Sequence, residues 1–178
     1  MSESRQPNRC TTCSAEADLE HPIFGLCRGK KFDEAAQIAQ SEIAAQPFDP
    51  TGHRHMAIVL ELGGRLKEAL AHRNQEVTLS PRSAMSYFSR ALLQYRLGDF
   101  KAAIPDFTRT AELDHEQAIG PANYLYRADC LRHLGRYDEA IADCANVPED
   151  FDFPGFLGQR DGNKHHLLAE ISRIQAGR

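Results

Sequence analysis

One pattern occurs three times in the middle of this chain. It reads Gly64-Arg65-Leu66-Lys67-Glu68-Ala69-Leu70, then Gly98-Asp99-Phe100-Lys101-Ala102-Ala103-Ile104, then Gly135-Arg136-Tyr137-Asp138-Glu139-Ala140-Ile141. The glycines stand 34 and 37 residues apart, and seven residues before each lies an alanine: Ala57, Ala91 and Ala128. A period of this length marks a stack of helical hairpins, because one hairpin cannot bury its apolar face alone and stacked neighbours bury a continuous core. Such stacks build extended binding surfaces. The repeat therefore predicts a protein that binds before it predicts one that catalyses.

Each copy reads as two amphipathic helices around the glycine. In the third unit Tyr87, Ala91, Leu93 and Leu97, then Phe100, Ala103, Ile104, Phe107 and Ala111, recur at the spacings that place apolar groups on one helical stripe. The glycine falls just past the first helix, where a left-handed residue closes the helix end and a side chain carries a steric penalty. Leu66, Phe100 and Tyr137, two residues on, are placed to pack back over the turn. Ala57, Ala91 and Ala128 on the first helices, and Ala69, Ala103 and Ala140 on the second, are small enough for axes to approach to about 8–10 Å.

These positions resemble the signature of the tetratricopeptide repeat (TPR) family: a small residue in the first helix, a glycine turn followed by an aromatic, an alanine in the second helix, and a proline after it. Gly98-Asp99-Phe100 and Gly135-Arg136-Tyr137 fit the turn, and Pro81 fits the terminal proline. His115 replaces that proline in the third unit and is followed by extra residues over 116–120, which loosens the stack without breaking it. A fourth copy precedes the three, since Phe32, Ala35 and Pro47 lie 34 residues before Leu66, Ala69 and Pro81. Its first helix is degenerate, with Pro22 inside it and Lys30 where the glycine should be, as is common for a terminal repeat that caps a stack.

The resemblance implies an all-α chain: a right-handed TPR superhelix of three clear repeats plus a degenerate N-terminal repeat and a C-terminal capping helix, with about eight or nine helices in all. The expected division is a disordered tail over 1–16 and a TPR domain over 17–178. The repeats fall at about 17–48, 50–82, 84–117 and 121–148, with a linker over 148–162 and the capping helix over 163–176. The last second helix is shortened to Tyr137–Val147, and Asn163 caps a final helix with an apolar stripe of Leu167, Leu168, Ile171 and Ile174. The linker segment Glu149–Leu157 carries three acids (Glu149, Asp150, Asp152), three phenylalanines (Phe151, Phe153, Phe156) and Leu157. It is expected to close the core under the last helix. The alternative is a contact with a partner or with the chain's own basic groove.

With 178 residues the chain is read as one domain, and 42% hydrophobic residues are enough for a continuous core. A formal charge of −4 argues against nucleic acid as a main partner. The polar start and the lack of any long apolar stretch predict neither a secretory signal nor a membrane span. Five irregularly spaced cysteines suit a reducing cytoplasm better than a disulfide framework.

Chemistry is thinly represented. Cys10-Thr11-Thr12-Cys13 has the spacing of half a zinc knuckle, with His21 and Cys27 as the nearest further ligands, but no second pair of cysteines completes it. A zinc-binding or redox protein built on Cys10 and Cys13 is the reading from another functional class. His53 and His55 point to different helical faces, as do His165 and His166. No nucleophile–base arrangement or phosphate loop is found, so no enzyme and no cofactor is expected. Cys130 and Cys144 read as small buried apolar residues.

In TPR proteins the first helices line a concave face where ligands lie, and that geometry is applied here from the resemblance. The lining becomes Arg54, His55, Ile58 and Glu61, then Phe88, Ser89, Leu92, Tyr95 and Arg96, then Leu125, Tyr126, Asp129, Arg132 and His133, with Phe24 and Arg28 from the degenerate unit. Of these, Arg54, His55, Phe88, Tyr95, Arg96, Tyr126, Arg132 and His133 are the candidate partner-binding residues, because aromatic and arginine side chains dominate interaction hot spots and arginine pairs with carboxylates. Ser89 and Tyr126 do not match the asparagine and the basic residue of the clamp with which TPR co-chaperones hold chaperone tails. The expected partner is a protein or peptide with acidic and apolar segments. A secretion-type chaperone or adaptor is the leading role, a toxin-neutralising immunity protein the alternative, and self-association a third reading.

Overall fold

A computed structural model describes residues 21–151 and 164–177. Among these residues the chain forms nine helices and no strand: α1 (Pro22–Arg28), α2 (Phe32–Ala45), α3 (Pro50–Leu62), α4 (Leu66–Leu79), α5 (Ala84–Arg96), α6 (Phe100–Leu113), α7 (Pro121–His133), α8 (Tyr137–Cys144) and α9 (Lys164–Ala176). The tail over 1–16 with Cys10 and Cys13, the Asn163 cap, and Asp152, Phe153, Phe156 and Leu157 of the linker lie outside the described residues.

The periodicity becomes four hairpins in sequence. Each helix packs on the next along the chain from α1 to α8, α1 also meets α3, and α5 also meets α7. First helices thus lie beside first helices at both ends of the stack. Hairpin turns close as the glycines require, with Gly64, Gly98 and Gly135 at φ +78°, +77° and +74°. Lys30 takes the same left-handed conformation in the first hairpin, at φ +57°, without glycine's steric freedom. Pro22 is not inside a helix: it opens α1 at its first position, where the missing N–H would have had no partner in any case. Side-chain caps start three later helices, Asp49 accepting from the Thr51 N–H, Ser83 from Ser86 and Asp99 from Ala102.

The repeat alanines sit at the contacts. Ala57, Ala91 and Ala128 on first helices, and Ala35, Ala69, Ala103 and Ala140 on second helices, are all fully buried. Around them the core changes along the stack. Ile23, Met56, Val59, Leu60 and Leu93 fill the first part, Phe107 and Cys130 the middle, and Leu131, Cys144, Leu167 and Ile171 the end. Helix α9 packs on α7 and α8, burying Leu167 and Ile171 of the expected stripe.

Polar links hold the later hairpins together. Arg90 of α5 grips Asp106 of α6 through two bonds of 2.7 Å. Arg127 of α7 repeats the arrangement on Asp143 of α8 at 2.8 and 2.6 Å. These pairs occupy one register, 37 residues apart, and their bidentate geometry fixes the angle between helices as well as their spacing. The extra residues after His115 fold around Asp114, whose carboxylate accepts from the N–H groups of Ala118, Ile119 and Gly120. Helix α8 ends at Cys144, short of Val147, yet Val147 is buried against Leu125, with Phe151 packed alongside. Lys164 ties the start of α9 back to this point, donating to the Val147 carbonyl at 2.7 Å and pairing with Glu149 at 2.6 Å.

Candidate functional site

The candidate residues lie on α3, α5 and α7, and the structure divides them into two connected groups. The first is a chain of alternating charges. Arg96 of α5 reaches Glu61 of α3 at 2.9 Å, and Glu61 also accepts from Arg73 of α4 at 2.9 Å. Arg73 continues to Glu76 at 2.8 Å, and Glu76 accepts from Arg54 of α3 at 3.1 Å and from the Ser86 hydroxyl at 3.2 Å. The middle of this chain is inside the protein: the Arg73 and Glu76 side chains are 7% and 1% exposed. Its ends open outward, the Arg96 side chain being 48% exposed. The pairing is complete enough to satisfy the buried charges, which is the condition for burying them at all.

The second group is aromatic. Tyr95 of α5 and Tyr126 of α7 meet edge to face with centroids 5.3 Å apart, and Phe88, Phe100 and Phe107 surround them at 5.6–6.2 Å. His133 stacks on Phe100 at 4.1 Å. Asp129, with no exposed surface, anchors the polar edges of this cluster. It accepts from the Tyr95 hydroxyl at 2.6 Å and from Arg132 at 2.7 Å, and His133 lies 3.5 Å away. Burial first, then the Asp129 carboxylate, pushes the Tyr95 phenol above the ordinary range, and burial raises that of Tyr126. Both rings stay protonated hydrogen-bonding groups on a partly apolar face.

His55 does not join this face. It is 2% exposed and is turned toward Glu42 of α2, with Nδ1 2.7 Å from a carboxylate oxygen. His21 approaches the other oxygen of Glu42 at 2.9 Å, so that three metal-capable atoms lie within 4.8 Å of one another. Leu125 is also buried, against Val147 and Tyr124. Burial raises the thiols of Cys130 and Cys144 to about 12 and about 11, which leaves them protonated and apolar in character.

Sequence reading passed over Arg73 and Glu76 because they stand on a second helix, away from the expected lining. The repeat register carried the signal. Arg73 shares its register with Phe107 and Cys144, and Glu76 with Thr110 and Val147, so a charged pair stands where the later hairpins place packing residues. Asp129 likewise replaces Ile58 and Leu92 of the earlier units.

Residues 88–150 match the family model for the tetratricopeptide repeat. A cattle (Bos taurus) protein, DnaJ homolog subfamily C member 3, is 31% identical over 99 residues, which are 56% of this chain and 19% of that protein. The chain thus spans about a fifth of that relative's length. Two solved structures share the fold. MamA superposes with a TM-score of 0.62 at 18% identity, over 70% of this chain and 71% of that one. YrrB, described as a TPR protein with an unusual peptide-binding site, superposes with a TM-score of 0.61 at 18% identity, over 78% and 73%. The repeat register, the family match over residues 88–150 and the shared fold together identify tetratricopeptide repeats in this chain.

Proposed function

We propose that this protein binds an extended polypeptide segment along the face formed by α3, α5 and α7, without catalysing a reaction. The observation that carries this reading is that the polar side chains of the face are already held by partners within the protein. Tyr95 is held by Asp129, Arg96 by Glu61 and Arg54 by Glu76, at 2.6, 2.9 and 3.1 Å. Side chains fixed before a partner arrives lose less conformational freedom on binding. Phe88, Leu92 and Tyr126 supply partly buried apolar surface between them.

Charge decides which ligand fits. Arg54, Arg73, Arg96 and Arg132 are matched by Glu61, Glu76, Asp129 and Glu170 within this region. A strongly acidic ligand gains little from such a balanced surface. A mainly apolar segment with one or two acidic side chains suits it better, one carboxylate meeting the half-exposed Arg96. Holding such a segment is the work of a chaperone or adaptor, and the peptide-binding site ascribed to YrrB supports that mode. Among the described residues no helix is long and apolar enough to cross a membrane. The buried free cysteines Cys27, Cys130 and Cys144 favour a reducing compartment such as the cytoplasm.

The test is capture of partners from the native organism, followed by measurement of affinity for the segment recovered. Arg96→Ala with Leu92→Ala removes one exposed charge and one apolar contact, and should weaken binding by about 1–3 kcal/mol. Circular dichroism and melting should remain close to the parent. Affinity unchanged within error in this folded variant would place the interface elsewhere.

A further inference from the structure

We propose that His21, Glu42 and His55 form a zinc site that staples the degenerate first hairpin to the second. Three elements supply one ligand each: His21 precedes α1, Glu42 lies in the last turn of α2, and His55 is in the second turn of α3. His21 Nε2 and His55 Nδ1 stand 2.9 and 2.7 Å from the two oxygens of Glu42. The imidazole rings face each other with centroids 4.4 Å apart.

The repeat register shows what is unusual about this carboxylate. Glu42 lies 34 residues before Glu76, and His21 lies 34 before His55. Glu76 is met by Arg54 and Arg73. In the preceding hairpin Arg73 is replaced by Ala39, and among the described residues the ion-pair partners of Glu42 are the two imidazoles alone. A half-sheltered carboxylate thus lacks the fixed positive charge that its counterpart one repeat later receives. A bound cation supplies it.

Two imidazoles and a carboxylate select the class of ion. Imidazole suits zinc and its transition-metal neighbours, whereas calcium and magnesium call for oxygen ligands. Two histidines, one glutamate and an open fourth position is an established three-ligand set for zinc. Bonds of about 2.0–2.1 Å in a tetrahedron separate ligand atoms by about 3.3 Å, so closing on an ion asks the hydrogen-bonded atoms to part slightly and the wider pairs, all within 4.8 Å, to draw together. The rings can make that movement. His21 Nδ1 and His55 Nε2 are buried without a hydrogen-bond partner among the described residues, so no second hydrogen bond fixes either ring. An entry path exists too: a cleft of about 270 Å³ lined by Glu42, Gln46, Asp49, Thr51 and Gly52 opens beside the carboxylate.

The experiment titrates zinc chloride, against a competing chelator, into the full chain freed of any histidine tag. The parent protein, a Cys10→Ser/Cys13→Ser variant, Glu42→Gln and His21→Gln are compared. One equivalent is expected in the parent and in the double serine variant, with a raised melting temperature and, for cobalt in place of zinc, the absorption of a tetrahedral site. Glu42→Gln and His21→Gln should each weaken zinc by at least about 10–100-fold, the range lost when even a supporting partner of a metal ligand is removed. Both leave His55 in the core, and circular dichroism of the metal-free proteins checks their folding. Absence of binding in the parent overturns the site. So does binding that survives Glu42→Gln but disappears in the double serine variant, which would assign the ion to the cysteines.

Discussion

The second and third hairpins share one backbone plan and fill it differently. At one register of the second helix, α4 carries Arg73 where α6 carries Phe107. Arg73 is held by Glu61 and Glu76, while Phe107, fully buried, packs against Phe88 and stacks on Tyr126. Repeat geometry therefore demands that the space be filled and its polar groups satisfied, and accepts either chemistry. The consequences differ. An aromatic core tolerates the loss of direction but not of volume. A buried ion pair tolerates joint replacement by apolar groups but not the loss of one partner.

The largest expected effect breaks this comparison at its centre. Arg73→Ala, which leaves Glu76 buried with one fewer cation, should destabilise by about 3–5 kcal/mol. Phe107→Ala should lose about 3–5 kcal/mol through its cavity. The two regions then diverge on repair: Arg73→Leu combined with Glu76→Leu should recover part of the loss, since Glu61 keeps Arg96, Ser86 keeps Ser80 and the partly exposed Arg54 can turn to water. Denaturant unfolding of the single and double variants measures this. A double variant no more stable than Arg73→Ala would show that the charged network has no apolar substitute in this hairpin.

The turns extend the comparison to the irregular first hairpin and the regular third. Gly98 adopts φ +77°, with nothing within 4 Å of an added Cβ. Gly98→Ala should therefore cost about 1–2 kcal/mol from backbone conformation alone. Lys30 already bears that strain at φ +57°. Lys30→Gly should stabilise by less, up to about 1 kcal/mol, because glycine also loses more freedom on folding. Melting temperatures moving in the same direction for both substitutions would contradict the shared turn geometry.

The smallest expected effect concerns pH and belongs to the charged half. The His53 and His72 rings lie 3.1 Å apart, Nδ1 to Nδ1. Burial lowers the pKa of both from the ordinary 6.5, and the neighbouring His53 charge lowers that of His72 further. The folded state thus prefers both rings neutral. Their stabilising contribution is complete above 6.5 and is lost as the pH falls through the lowered folded values. His53→Gln with His72→Gln should flatten the fall in melting temperature between about pH 7 and about pH 5. An unchanged slope would assign the acid sensitivity to other groups.

The sequence by itself determined the all-helical stack, the four hairpins, the left-handed turns at Gly64, Gly98 and Gly135, and the buried alanines from Ala35 to Ala140. These follow from local conformational preference and from periodicity, both of which are written along the chain. It also placed aromatic and arginine side chains together on the first helices. Only the tertiary structure decided what those side chains do. It paired Arg96 with Glu61 across two helices and Tyr95 with Asp129 across two hairpins. It turned His55 from the expected lining toward Glu42 and His21, and it brought Arg73 and Glu76 into the core. Side-chain pairing across hairpins depends on rotamer choice and on the charges that neighbouring elements present. A period read along one chain sets which helices meet, but not which of their polar groups find each other.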